Sequence, residues 1–246
     1  MKRYKIVIVP RWDTGTRRGV CHCCPRGILL LVVMAAFLVS ITCAQEEQKK
    51  PIVPKEKIIL WNGKDFTGWK LFVPYAGYDV TKTWSVKDSV ICCEGQPAGY
   101  MRTEQEDYAD YLFHIEWRWV ENGGNSGVLV HMSGEDKVWP KSLECQLMSG
   151  NAGDFWVIGG VEIAEHARGD GRVEGRRVIK LKASSEKPLG QWNAYDIICK
   201  DDWVVVLVNG ILQNVGTKCS ERAGKICVQS EGTPIEFRNV YIEPLE

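Results

Sequence analysis

Between Tyr111 and Met148, polar side chains recur at every second residue on three short stretches: Glu116 with Arg118, Ser126 near His131, and Glu144 with Gln146. Carboxylates, a guanidinium, an imidazole and an amide are groups that grip hydroxyls and move protons. Sheets that need only solubility usually turn Lys, Thr and Ser outward. This set on neighbouring strands points instead to a groove for a polar ligand, with sugar the first candidate. His131, after the apolar Val128-Leu-Val run, reads either as a base or metal ligand beside Glu144 or as a hydrogen-bonded residue at a strand end. Glu116 and Arg118 read either as part of the chemistry or as an ion pair on a solvated sheet face.

Alternation at period two puts each set on one face of a sheet. From Tyr111 to Trp119 the odd positions are all apolar, while His114, Glu116 and Arg118 point the other way. Further short runs rich in aromatic and β-branched residues predict strands over 58–61, 83–86, 89–93, 100–102, 111–120, 127–132, 143–148, 178–182, 192–200, 203–209, 211–215, 225–229 and 235–243. No window shows a long amphipathic helix. Lys87-Asp88, Asp201-Asp202 and Asn209-Gly210 separate strand runs, and Asn-Gly tolerates the positive φ of a tight hairpin. Residues 192–215 are therefore expected to form a three-stranded meander, and the whole an all-β sandwich or jelly roll of two antiparallel sheets. A Gly-rich, charged stretch from Gly159 to Arg177 breaks this rhythm. It reads either as a mobile surface loop or as a flap bringing His166 or Arg168 over the polar face.

The 246-residue chain carries 31 basic and 31 acidic residues. Its first 44 residues read as a signal peptide or N-terminal anchor: Arg17, Arg18 and Arg26 precede an apolar run from Ile28 to Ile41, which ends in Thr42-Cys43-Ala44. That run is short of the roughly 20 apolar residues of a bilayer span. Export to the periplasm or the exterior is the expectation, with any membrane link confined to this segment. Residues 45–57 read as a linker, and 58–246 as one domain. Loss of residues 1–44 removes seven Lys/Arg and one Asp, leaving 24 basic against 30 acidic residues, a balance that argues against a nucleic-acid partner. Six cysteines remain after Ala44. In an oxidising compartment they could pair, Cys219 with Cys227 most readily across a short turn, or serve as small buried hydrophobes.

The segments Leu60-Trp-Asn-Gly-Lys-Asp-Phe-Thr-Gly-Trp69, Glu116-Trp-Arg118, Gly124-Asn-Ser-Gly127, Glu144-Cys-Gln146, Trp192-Asn193, Val208-Asn-Gly210 and Ile235-Glu-Phe-Arg-Asn-Val-Tyr-Ile242 occur in that order. Together they resemble the 3-keto-disaccharide hydrolase family over about residues 56–246. The resemblance implies a concanavalin A-like jelly roll and cleavage of glycosides already oxidised to a ketone at C3. Where this family often shows an acidic residue and a His, the chain has Gln229-Ser-Glu-Gly232. Related glycosidases often carry Glu-x-Asp on one strand, but here it reads Glu144-Cys-Gln146, so two-carboxylate hydrolysis is not the expectation.

A 3-keto sugar needs less, because its C2 proton is α to a carbonyl and one positioned base can remove it. The C1 substituent then leaves by elimination, and water can add. Glu144 is the first choice of base, with Glu116 or Glu231 as alternatives, and Arg118 as partner to the enolate or a substrate oxygen. A divalent metal polarising the ketone would suit this chemistry, though no local ligand motif supports it. Asn125, Ser126, Gln146 and Gln229 are candidate partners for sugar hydroxyls, Asn125 being alternatively a turn residue, and Trp139 and Trp156 could stack on sugar faces. The rivals are a non-catalytic carbohydrate-binding module and a cell-surface interaction domain.

Overall fold

A computed structural model describes residues 50–105, 107–169 and 171–246. The expectations for residues 1–44 therefore lie outside the described residues. Sixteen strands follow in chain order: β1 (Ile58–Ile59), β2 (Trp69–Phe72), β3 (Trp84–Lys87), β4 (Val90–Cys93), β5 (Gly99–Thr103), β6 (Tyr111–Trp119), β7 (Gly127–Ser133), β8 (Lys141–Gln146), β9 (Phe155–Ile158), β10 (Val173–Glu174), β11 (Arg177–Val178), β12 (Asn193–Lys200), β13 (Trp203–Val208), β14 (Ile211–Gly216), β15 (Lys225–Ser230) and β16 (Ile235–Pro244). One short helix, α1 (Ala164–Arg168), and a 3-10 turn at Val80–Lys82 are the described helical segments.

The strands form two antiparallel sheets. A front sheet runs β10-β11-β9-β8-β7-β15-β5-β2, and a back sheet runs β14-β13-β12-β6-β16-β4-β3 with β1 on β16. Alternation explains the layering. Along β6 every odd residue from Tyr111 to Trp119 is buried and every even one half-buried, so Phe113, Ile115 and Trp117 meet Val128, Val130, Leu143 and Phe155 of the front sheet in one core. The expected meander is β12-β13-β14, and its Asn209-Gly210 turn has φ of 52° and 76°, as a tight hairpin requires. Asn209 reinforces the turn: Ala194 N donates to its Oδ1, and its Nδ2 donates to Ser185 O and Asn193 Oδ1.

Several features differ from expectation. Strands β2, β9 and β10 were not anticipated, since each is short and lacks clear alternation. The stretch 159–177 is anchored: the buried carboxylate of Glu165 accepts from Thr217 N (2.7 Å) and Oγ1 (2.8 Å) and pairs with Arg168 (2.5 Å). The expected linker is docked from Ile52 onward, where Ile52 N donates to Asp107 O and Ala109 N donates to Ile52 O. All six cysteines from Cys92 onward are free thiols. Cys219 cannot meet Cys227, because Cys219 lies in the core between the sheets while Cys227 packs with Tyr100, Leu129 and Met132 on the front sheet's outer face.

Candidate functional site

The outer face of the front sheet follows from its register. Glu144 pairs with Leu129 on one side and Trp156 on the other, while Gln146 pairs with Gly127; Gln229 pairs with Tyr100 on the far side of β15. Their neighbours Val128, Leu143, Cys145, Phe155 and Val228 point into the core, so these polar residues must face outward. They are not solvated. Glu144 is 4% exposed, Gln146 3% and Gln229 1%.

Gly127 makes the space between them. A Cβ at this position would stand 2.3 Å from Gln229 Oε1 and 2.7 Å from Glu144 Oε1, so the bare backbone is the floor over which the amide and the carboxyl converge. Ser126 ties β7 to β15 by donating from Oγ to Gln229 O (2.9 Å), and Gln146 Oε1 accepts from Leu147 N and Met148 N. One bridge further along, Asn125 pairs with Glu231, and the Asn125 amide supports the Glu231 carboxylate.

Burial pushes the Glu144 carboxyl up to about 8; the charge of Glu231 adds to the rise, and Arg176 and Gln229 oppose it. Burial also raises Glu231, against the pull of Asn125. Asp136 on the same sheet face shows the opposite outcome. Burial works against its charge too, but Arg102 (2.7 Å), Lys70 (2.7 Å) and Tyr100 (3.0 Å) hold it well below the usual carboxylate range. A carboxylate that serves the fold is given close ion pairs; Glu144 has none, only the longer-range pull of Arg176.

Some of the amide atoms also lack partners. Gln229 Nε2 and Oε1, Asn125 Oδ1 and Trp156 Nε1 are buried polar atoms without a hydrogen-bond partner. Each such atom costs about 1–3 kcal/mol unless a ligand or water supplies the missing bond. Four of them surround two upshifted carboxyls. The arrangement is suited to binding a polyhydroxy ligand and transferring a proton.

Other expected residues lie elsewhere. Glu116 and Arg118 point outward from the back sheet, on the opposite side of the sandwich, because the alternation that buries Trp117 forces them there. Arg118 pairs with Glu236 (2.5 Å) and Arg238 with Glu116 (2.6 Å), both guanidinia stacking on Trp192. Burial tends to raise Glu116, but hydrogen bonds from Arg238 and then Asn239 outweigh it and lower its pKa. Their roles as base and enolate partner are corrected to a surface network.

His131 occupies a bulge in β7 at φ +55°, its ring against Tyr111 and its Nδ1 3.0 Å from Glu221 O. Burial lowers its pKa to about 4, and the charges acting on it are Glu221 and Asp110 rather than Glu144. It joins neither base nor ligand set. Among the described residues no three His, Cys, Asp or Glu side chains gather to hold a metal, and the imidazole expected beside Glu144 is absent from that donor set. Trp139, 41% exposed, stands in the β7–β8 turn, at the opposite end of these strands from Gly127. Trp156 is a β9 strand residue beside Glu144. His166 Nε2 is 2.8 Å from Gly175 O and holds a hairpin rather than facing the pocket directly.

A groove of about 590 Å³ crosses the back sheet, lined in part by Lys57, His114, Glu116, Arg238 and Tyr241. Most of its charged groups are paired: His114 Nδ1 lies 2.6 Å from Asp196, Arg238 bonds Glu116, and Lys57 bonds Glu243 and covers the Tyr241 ring. The front site has the unmet demand, and it is the stronger candidate. Sequence reasoning missed Arg176 and the role of Gly127. Its position at the start of β7, in register with Gln146, was the signal for Gly127; Arg176 had none.

Residues 56–243 match the model of the 3-keto-alpha-glucoside-1,2-lyase-like domain. A structure from Parabacteroides distasonis, described provisionally as a glycosyl hydrolase, is 25% identical, covering 80% of this chain and 100% of that one, with a TM-score of 0.55. The Bacillus licheniformis β-glucanase shares the jelly-roll fold at 13% identity and TM-score 0.53, covering 78% and 99%. The Bacillus subtilis carbohydrate-binding module CBM66 shares it at 10% and 0.52, covering 72% and 95%. No protein of curated function matches the chain.

Proposed function

Because the chain belongs to the 3-keto-alpha-glucoside-1,2-lyase-like family, whose model spans residues 56–243, we propose that it cleaves 3-keto-glycosides with Glu144 as the base. The observation that carries this reading is a buried carboxyl, raised to about 8 and held in no ion pair, beside the Gln229 amide over Gly127. A carbohydrate-binding module would need platforms and hydroxyl partners but no perturbed, buried carboxyl among them.

Ionised Glu144 takes the C2 proton, and the C–H electron pair becomes the enolate of the C3 ketone. As the ketone re-forms, C1=C2 forms and the C1–O bond breaks, its electron pair leaving on the oxygen. That oxygen takes the proton now on Glu144, so the elimination balances without a second acid. Water adding across C1=C2 gives the free 3-keto sugar. A base with pKa near the working pH is the efficient compromise between being ionised and being strong. The negative charge of Glu231 strengthens the base, while Asn125 and Gln229 meet sugar hydroxyls and fix C2 toward Glu144. On sequence grounds we place this work outside the cytoplasm, after export through the N-terminal segment.

Purified protein incubated with a 3-keto-glucoside, with and without chelator, should release the 3-keto monosaccharide or its unsaturated precursor. Binding without any turnover would replace this reading with the carbohydrate-binding one.

A further inference from the structure

With Arg118 on the back sheet, the negative charge developing on the C3 oxygen needs another partner, and a hairpin at the edge of the front sheet offers one. Strands β10 and β11 pair Val173 with Val178 and Glu174 with Arg177, leaving Gly175 and Arg176 at the turn; Gly175 has φ +58°. The two adjacent arginines have opposite fates. Arg177 bonds Asp154 through Nε (2.7 Å) and NH2 (2.6 Å) and reaches Glu174 at 3.2 Å. Arg176 is exposed and has no carboxylate partner among the described residues. Its guanidinium lies 5.8 Å from the ring centroid of Trp156, the cross-strand neighbour of Glu144.

The turn that carries Arg176 is held in place. Gly175 O is 2.8 Å from His166 Nε2 on α1, and α1 is fixed through Glu165 to Thr217, just beyond β14 of the back sheet. We propose that Arg176 is a catalytic residue that receives the enolate oxygen of the bound 3-keto sugar, with His166 as its positioning residue. The inference rests on Glu144 being the base. Its pull on the Glu144 carboxyl is consistent with that place. An exposed cation beside a buried carboxyl that is mostly protonated gains most when an oxyanion forms, so it acts on the transition state more than on binding.

The test measures two reactions: cleavage of a 3-keto-glucoside, and deuterium uptake at C2 of a 3-keto monosaccharide in heavy water, which reads enolisation alone. Arg176→Met keeps the apolar stem and should lose about 100-fold in kcat with KM within about threefold, and lose deuterium uptake in parallel. Arg176→Lys should recover part of both. His166→Ala should cost about tenfold alone and nothing further in the Arg176→Met background. Undiminished exchange in Arg176→Met overturns the inference while leaving the base assignment standing. Wild-type protein that neither cleaves nor exchanges overturns both.

Discussion

Glu144 and Asp136 face the same side of one sheet and are driven apart by their neighbours, one left without an ion pair and the other given two cations and a hydroxyl. That difference has consequences for rate and for stability. Because the base must be ionised, kcat/KM should rise about tenfold per pH unit below about 8 and level off above it. Glu231→Gln removes a charge that holds Glu144 up, so the midpoint of this rise should move to lower pH and the plateau should fall as the base weakens. The stability sign is opposite to that of an ion-paired carboxylate. A folded pKa of about 8 against an ordinary 4.5 means that stability is lost as pH rises from 4.5 through 8. Glu144→Gln should therefore abolish turnover yet raise the melting temperature at pH 7 by several degrees, measured by thermal denaturation, since the relieved cost is on the order of 3 kcal/mol.

At the level of elements, β7 carries two opposite demands. Its Gly127 end must stay empty, so Gly127→Ala should lose at least tenfold in activity through clashes with Gln229 and Glu144 while keeping a cooperative melt. Its other end buries His131 as a neutral ring. The unfolded chain takes up the proton near pH 6.5 and the folded one only near 4, so stability should fall as pH drops between these values. Melts of His131→Gln across pH 4–7 should show a flatter slope. Much of this was legible in the chain: the alternation of 111–119 gives β6 its buried and half-buried faces, and Asn209-Gly210 gives the turn. What alternation cannot tell is to which sheet a strand belongs. Glu116 and Glu144 both face away from the core, and only long-range pairing of β6 with β12 and β16 separates them. Arg176 was hidden for a related reason, since two adjacent arginines look alike until Asp154 claims one of them.

Across the whole domain, the charges mapped on the back face are paired, while the front face carries paired charges at Asp136 and Asp154 together with the unmet polar groups around Glu144. Glu116→Gln and Arg118→Met should leave kcat within about twofold and cost no more than about 1 kcal/mol of stability. Six buried or half-buried free thiols make no cross-link, so a reductant should leave the melting temperature of residues 50–246 unchanged. The account as a whole depends on one proton moving between C2 and Glu144. The direct measurement is deuterium uptake at C2 of a 3-keto monosaccharide by wild-type protein and by Glu144→Gln. Exchange by the wild type that disappears in the variant is the predicted result, and exchange that persists at a comparable rate in Glu144→Gln would contradict it.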